Sequence, residues 1–158
     1  MSHKFNLNDF RKKTERDFGP FVIEWGEEDE LKSVEIAAIV TASPLQQVEF
    51  GRRFNEIRLV LELPQLTEAQ RAEVAEMLID YKEGDTRTDD ELGVAILTKA
   101  RDNAKDMLCE LANDKRAFKA FAKEFNGELL EWFSVLAGYC AKYGLYGVNE
   151  SEEANEGK

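Results

Sequence analysis

Residues 116–144 read RAFKAFAKEFNGELLEWFSVLAGYCAKYG, and this stretch decides the fold. Phe118, Phe121, Ala122 and Phe125 recur at helical spacing on one face. Asn126-Gly127 ends that helix, because these two residues enter the left-handed conformation most easily. From Leu129 to Ala141 the chain is apolar on most sides: Leu129, Leu130, Trp132, Phe133, Val135, Leu136, Ala137, Tyr139, Cys140 and Ala141. A helix of that kind is buried centrally or doubles as a docking surface. Tyr143 and Tyr146 follow, separated by Gly144 and followed by Gly147.

Upstream, the helical period continues back to Ser43-Pro44, a serine cap with proline at the first helical position. Phe50, Phe54, Ile57 and Leu61 share one face, and Pro64 stops that helix. Thr67–Gln70 has capping-box form and opens a helix with Val74, Met77, Leu78 and Tyr81 on one side, closed by Gly84. Thr88–Glu91 is a second capping box, leading to Leu92, Ile96, Ala100, Ala104, Met107, Leu108 and Leu111 before Asn113-Asp114 breaks the run.

The amino-terminal third differs. Asn6 or Asn8 can cap a short helix carrying Leu7, Phe10, Thr14 and Phe18, which Gly19-Pro20 terminates. Phe21–Trp25 is aromatic and β-branched, hence a strand, and Gly26–Glu30 is a polar turn. Leu31–Val40 alternates in part, with Val34, Ile36 and Ala38 on one side. A two-stranded hairpin is marginal alone, so it must lean on a helix or on another chain. The expected architecture is mainly α: an N-terminal helix plus β-hairpin appendage over 1–42, a helical domain of about four to five helices over 43–148, and a disordered acidic tail over 149–158.

Acids outnumber bases 32 to 21 in the 158 residues, a net charge of −11. That balance argues against nucleic-acid backbones and anionic membrane surfaces as partners. No apolar run approaches the roughly 18–20 residues of a membrane span, and MSHKFNLNDF has no secretory character. The charge falls in blocks: residues 21–40 and 67–92 are strongly acidic, whereas 1–20 and 93–127 are net basic.

The same composition limits chemistry. His3 is the sole imidazole, and with Cys109 and Cys140 it does not make a zinc site or a catalytic nucleophile–base pair. No phosphate-binding glycine loop occurs. Neither an enzyme nor a cofactor or metal is expected, although carboxylate chemistry stays open because acids are plentiful. The acids Glu27–Glu30 and Asp85, Asp89, Asp90 and Glu91 read as solvated turn and helix-start residues rather than a calcium loop, and the cysteines as small core residues.

Two groups remain as interaction candidates. Trp132, Phe133, Leu136, Tyr139, Tyr143 and Tyr146 can line a groove for a partner helix, since aromatics anchor interfaces, or they can be the core of a small helical domain. Phe21, Ile23, Trp25, Val34 and Ile36 can form a strand edge that pairs with a neighbouring copy, so self-association is expected.

The opening NLNDFRKKTERDFGPFVIEW and the closing RAFKAFAKEFNGELLEWFSVLAGYCAKYG together resemble the tail assembly chaperones of long-tailed bacteriophages, particularly those infecting actinobacteria. The resemblance implies a non-enzymatic protein of the host cytoplasm that binds the tape measure protein and keeps it soluble while tail tube protein polymerises around it. It also implies a longer product made by −1 ribosomal frameshifting, and Glu156-Gly157-Lys158 can be encoded with a slippery G-GGA-AAA heptamer. The alternatives are an acidic inhibitor or DNA mimic that occupies a host nucleic-acid-binding protein, and a generic helical adaptor. A mimic should gather its acids on one face, whereas here 21 bases are interspersed among them.

Overall fold

The computed structural model describes residues 4–148, so His3, the expected acidic tail and Glu156-Gly157-Lys158 lie outside the described residues. In chain order the elements are α1 (Leu7–Phe18), β1 (Phe21–Trp25), β2 (Lys32–Ile36), α2 (Pro44–Leu61), α3 (Glu68–Ile79), α4 (Asp89–Leu111), α5 (Lys115–Phe125) and α6 (Leu129–Tyr143). Short 3-10 turns at Ile39–Thr41 and Leu63–Gln65 flank α2. The protein is mainly helical with one antiparallel hairpin, as its periodicity indicates.

The helix starts follow from local chemistry. Ser43 and Gln46 form a reciprocal capping box in front of Pro44, and Thr67 and Gln70 form another. Asn6, Thr88 and Asp114 each accept a backbone N–H three residues ahead, at 3.0, 3.2 and 3.0 Å. At Thr88 the reciprocal half of the expected box is missing, so only one orphan donor is satisfied by that pair. Asn126 and Gly144 end α5 and α6 in left-handed conformation, at φ 47° and 63°.

α4 is the hub, packing against α2, α3, α5 and α6. Its Ala100 and Ala104 are fully buried, and such short side chains let neighbouring helices approach closely. α6 lies against α4 and contributes Trp132, Phe133, Leu136, Ala137, Tyr139 and Cys140 to the core. Phe54 and Ile57 of α2, Leu108 of α4 and Phe118 of α5 complete it.

The hairpin belongs to this same core. Phe21 pairs with Ile36, Ile23 with Val34 and Trp25 with Lys32. Ile23, Val34 and Ile36 are buried among the helices, so the apolar core crosses the expected boundary at residue 42. β2 is also held from its other side. Ala37 N–H donates to Leu111 O (2.8 Å), Asn113 N–H to Glu35 O (2.9 Å), and Glu35 N–H to Asn113 Oδ1 (3.1 Å). The link between α4 and α5 therefore acts as a partial third strand.

Three sequence expectations change. The second strand stops at Ile36 rather than reaching Val40, because the chain bends into the turn at Ile39–Thr41. Met77 is 53% exposed, whereas Val74, Ala75 and Leu78 form the buried face of α3. Asp80, at φ 55°, rather than Gly84, ends that helix, leaving Tyr81 beyond it.

Candidate functional site

The structure places most of the aromatic candidates inside. Trp132, Phe133, Leu136 and Tyr139 are buried, and Tyr143 and Tyr146 are half-buried against the core. The Trp132 ring meets Phe125 at 5.1 Å, Phe121 at 5.8 Å and Phe118 at 5.9 Å, and Trp25 adds a contact to Phe121 at 5.3 Å. This is an aromatic core made by α5, α6 and β1. The contacts of Trp132, Phe133, Leu136 and Tyr139 are supplied by the chain itself.

Tyr139 carries the connection between α6 and the hairpin. Its hydroxyl accepts from Ile39 N–H (2.6 Å) and donates to Ala37 O (2.7 Å), while its ring packs on Phe21, Phe50 and Tyr143. Burial pushes its phenol far above the ordinary tyrosine range, and pushes the Cys140 thiol up to about 12. Tyr143, also raised by burial to about 12, donates to Gly19 O at 2.5 Å and so pins the junction between α1 and β1. Tyr146, at φ 55°, stacks on Phe54 at 4.9 Å. A Cβ at Gly51 would come within 3.3 Å of the Tyr146 hydroxyl, so the bare glycine admits that ring.

The side chains of the expected oligomer edge also pack inward, while its backbone edges differ. Ile23, Val34 and Ile36 are buried side chains, and Phe21 and Trp25 are packed against the core. The outer edge of β2 is met at Glu35–Ala37 by the link after α4. In an antiparallel ladder alternate residues point their backbone groups outward. On β1 those are Val22 and Glu24, which have no backbone partner beyond the hairpin.

What the surface offers is aliphatic rather than aromatic along the helical body. Leu45 and Val48 of α2 are 72% and 67% exposed. They stand off the face defined by Phe50, Phe54 and Ile57, a signal that was present in the sequence as apolar residues out of period. Leu45 borders a groove of about 230 Å³ between α2 and α4, with Ile39, Phe50, Met107 and Leu111 on its walls. Arg53 spans the two helices to Glu110 at 3.0 Å, and Arg52 bridges Glu49 and Glu56 at 2.7 and 2.6 Å. The Arg52–Glu49 pair is exposed and adds little stability, whereas Glu56 is buried, and together these pairs set a polar rim.

A second groove, of about 330 Å³, runs between α3 and α4 and is lined by Leu63, Ala72, Tyr81, Leu92 and Gly93, with Glu68 and Asp89 at its rim. At its end Arg87 clamps Asp85 through Nη2–Oδ2 at 2.6 Å, holding that carboxyl down at about 2. A third hollow, between α4 and α5, gathers Lys105, Lys119 and Lys123 around Cys109.

Among the described residues no group of three or more His, Cys, Asp or Glu side chains is placed to hold a metal ion, and no helix is long and apolar enough to cross a membrane. Comparison with protein-family models, with curated proteins and with solved structures finds no match to this chain.

Proposed function

We propose that the protein is a tail assembly chaperone of the long-tailed bacteriophage kind, which holds a tape measure protein soluble until tail tube subunits displace it. The observation that carries this reading is Leu45, exposed on the rim of the α2–α4 groove, with Val48 exposed about one turn further along α2, on a chain of net charge −11. An amphipathic helix laid along such a groove covers its own apolar stripe, and the charge of the carrier keeps the pair in solution. Aliphatic contacts of this size give modest affinity per copy, which suits a partner that must be released. The resemblance of the two end segments to that family supports the same assignment.

The test is co-expression with the long helical product of a neighbouring tape measure gene. The wild-type chain should raise the soluble yield of that product. Leu45→Glu with Val48→Glu should abolish the gain while leaving the circular dichroism and melting of the chain itself unchanged. Deleting α6 is not an informative variant, because its aromatic side chains form the core. Absence of a tape measure gene nearby, or full solubilisation by the double variant, refutes the reading.

A further inference from the structure

α1 stands apart from the rest of the fold. None of its residues is buried, and Leu7, Phe10 and Phe18 are 49%, 52% and 42% exposed. Phe5 adds a ring against Phe10 at 5.4 Å and is itself 75% exposed. Helices of this amphipathic kind normally bury their apolar stripe. From Lys4 to Phe18 five bases, Lys4, Arg11, Lys12, Lys13 and Arg16, outnumber three acids, Asp9, Glu15 and Asp17, and Arg16 pairs with Asp17 at 3.1 Å. Its root is fixed, since β1 pairs with β2 and Tyr143 holds Gly19. The folded chain therefore presents a rigidly rooted, basic, apolar-faced helix that it does not cover.

The complementary feature is the α3–α4 groove. Most of its lining comes from the segment 67–92, where nine acids outnumber three bases; Arg87 is occupied by Asp85, and Arg71, on the groove wall, donates to Leu66 O at 3.2 Å. Its apolar walls include Tyr81 and Leu92, and its floor is open at Gly93, where an added Cβ would meet nothing within 4 Å. A glycine inside a helix costs stability and is explained where another chain must approach closely.

We propose that α1 is an arm that seats its Leu7–Phe10–Phe18 face in the α3–α4 groove of a second copy, with its bases against Glu68 and Asp89. This contact joins two different surfaces, so it either closes as a reciprocal arm exchange between two copies or propagates into a ring or an open chain. It uses neither the α2–α4 groove nor the hairpin edge, and it does not depend on the chaperone reading.

The experiment is sedimentation velocity of the full chain across a concentration series. Wild type should grow in mass with concentration, and added salt should weaken the growth because the contact is between opposite charges. Phe10→Asp disables the arm and Gly93→Trp fills the groove, so each variant alone should stay monomeric. Mixed one to one, they should form a heterodimer that grows no further, because one arm and one groove remain. Should Gly93→Trp fail to fold, Glu68→Lys with Asp89→Lys takes its place, both positions being exposed. Wild type that remains monomeric at every concentration overturns the proposal, as does association that survives Phe10→Asp or a mixture that fails to pair. Monomeric chain that floats with phosphatidylserine vesicles through Phe10 would overturn it in favour of a lipid surface.

Discussion

Tyr139→Phe isolates the hydroxyl that ties α6 to the hairpin. The ring contacts with Phe21, Phe50 and Tyr143 survive the change, so the loss is confined to two hydrogen bonds. One leaves Ile39 N–H without its acceptor at a residue only 3% exposed. A buried donor stranded in this way costs about 1–3 kcal/mol. The other frees the carbonyl of Ala37, an exposed residue whose oxygen water can reach, and costs about 0.5–1 kcal/mol. The sum is about 1.5–4 kcal/mol, or roughly 3–16 °C in melting temperature for a chain of this size.

Urea unfolding followed by far-ultraviolet circular dichroism measures it, with an unchanged m-value showing that the unfolding transition is the same. Tyr143→Phe is the internal control. It removes one bond from a half-buried hydroxyl to Gly19 O and should cost about 1 kcal/mol or less. A Tyr139→Phe variant within about 0.5 kcal/mol of wild type would refute the reasoning, because the Ile39 N–H would then have another partner or the hairpin would not be anchored there.

The buried phenols and thiol also set the alkaline limit. Cys140, Tyr139 and Tyr143 hold their protons in the folded chain at pH values where the unfolded groups release them. Stability from them is complete below about pH 8, falls first through Cys140 and falls more steeply above about pH 10 through the tyrosines; Tyr139→Phe should flatten the second part of a urea-midpoint profile. Asp85 works in the opposite direction: its lowered pKa gives stability that is present above about pH 4 and lost toward pH 2, so Asp85→Asn should remove that slope from an acid titration of the melt. Gly93→Ala should stabilise by about 0.5–1 kcal/mol in the same urea assay, since the methyl meets open space in a helix interior. Trp25→Phe should leave stability within about 1 kcal/mol of wild type by urea melt, because the indole N–H it deletes is buried without a partner while the contact with Phe121 is largely kept.

Most of the helical plan was legible because its signals are local. Ser43-Pro44, Thr67–Gln70 and Asn126-Gly127 mark ends through chemistry acting over three or four residues, and the structure uses each of them. The departures arise where distant residues decide. The outer edge of β2 is covered at Glu35–Ala37 by residues 111–113 of another element, which no local pattern announces. Residues 111–113 do not end that strand, which stops where the chain bends into the Ile39–Thr41 turn; they add backbone bonds along its outer edge. Met77 fits the helical period in sequence, but α4 meets the Val74–Ala75–Leu78 side of α3 and leaves Met77 outside.

The interaction surface was less legible for a reason of scale. Trp, Tyr and Phe are the best interface anchors and also the largest sources of burial, so composition alone does not separate the two uses. In a chain with 145 described residues the core is built from relatively few large side chains, and the rings of α5 and α6 are consumed there. Position relative to the period is the better signal. Phe118, Phe121, Trp132 and Leu136 sit in phase with their helices and are buried, whereas Leu45 and Val48 sit out of phase and are exposed. α1 shows the converse case. Its Leu7, Phe10 and Phe18 are in phase and yet uncovered, so a helix can satisfy every local rule and still lack the surface that its pattern presupposes. An in-phase apolar face left open beside a run of basic residues points outward from the chain that carries it.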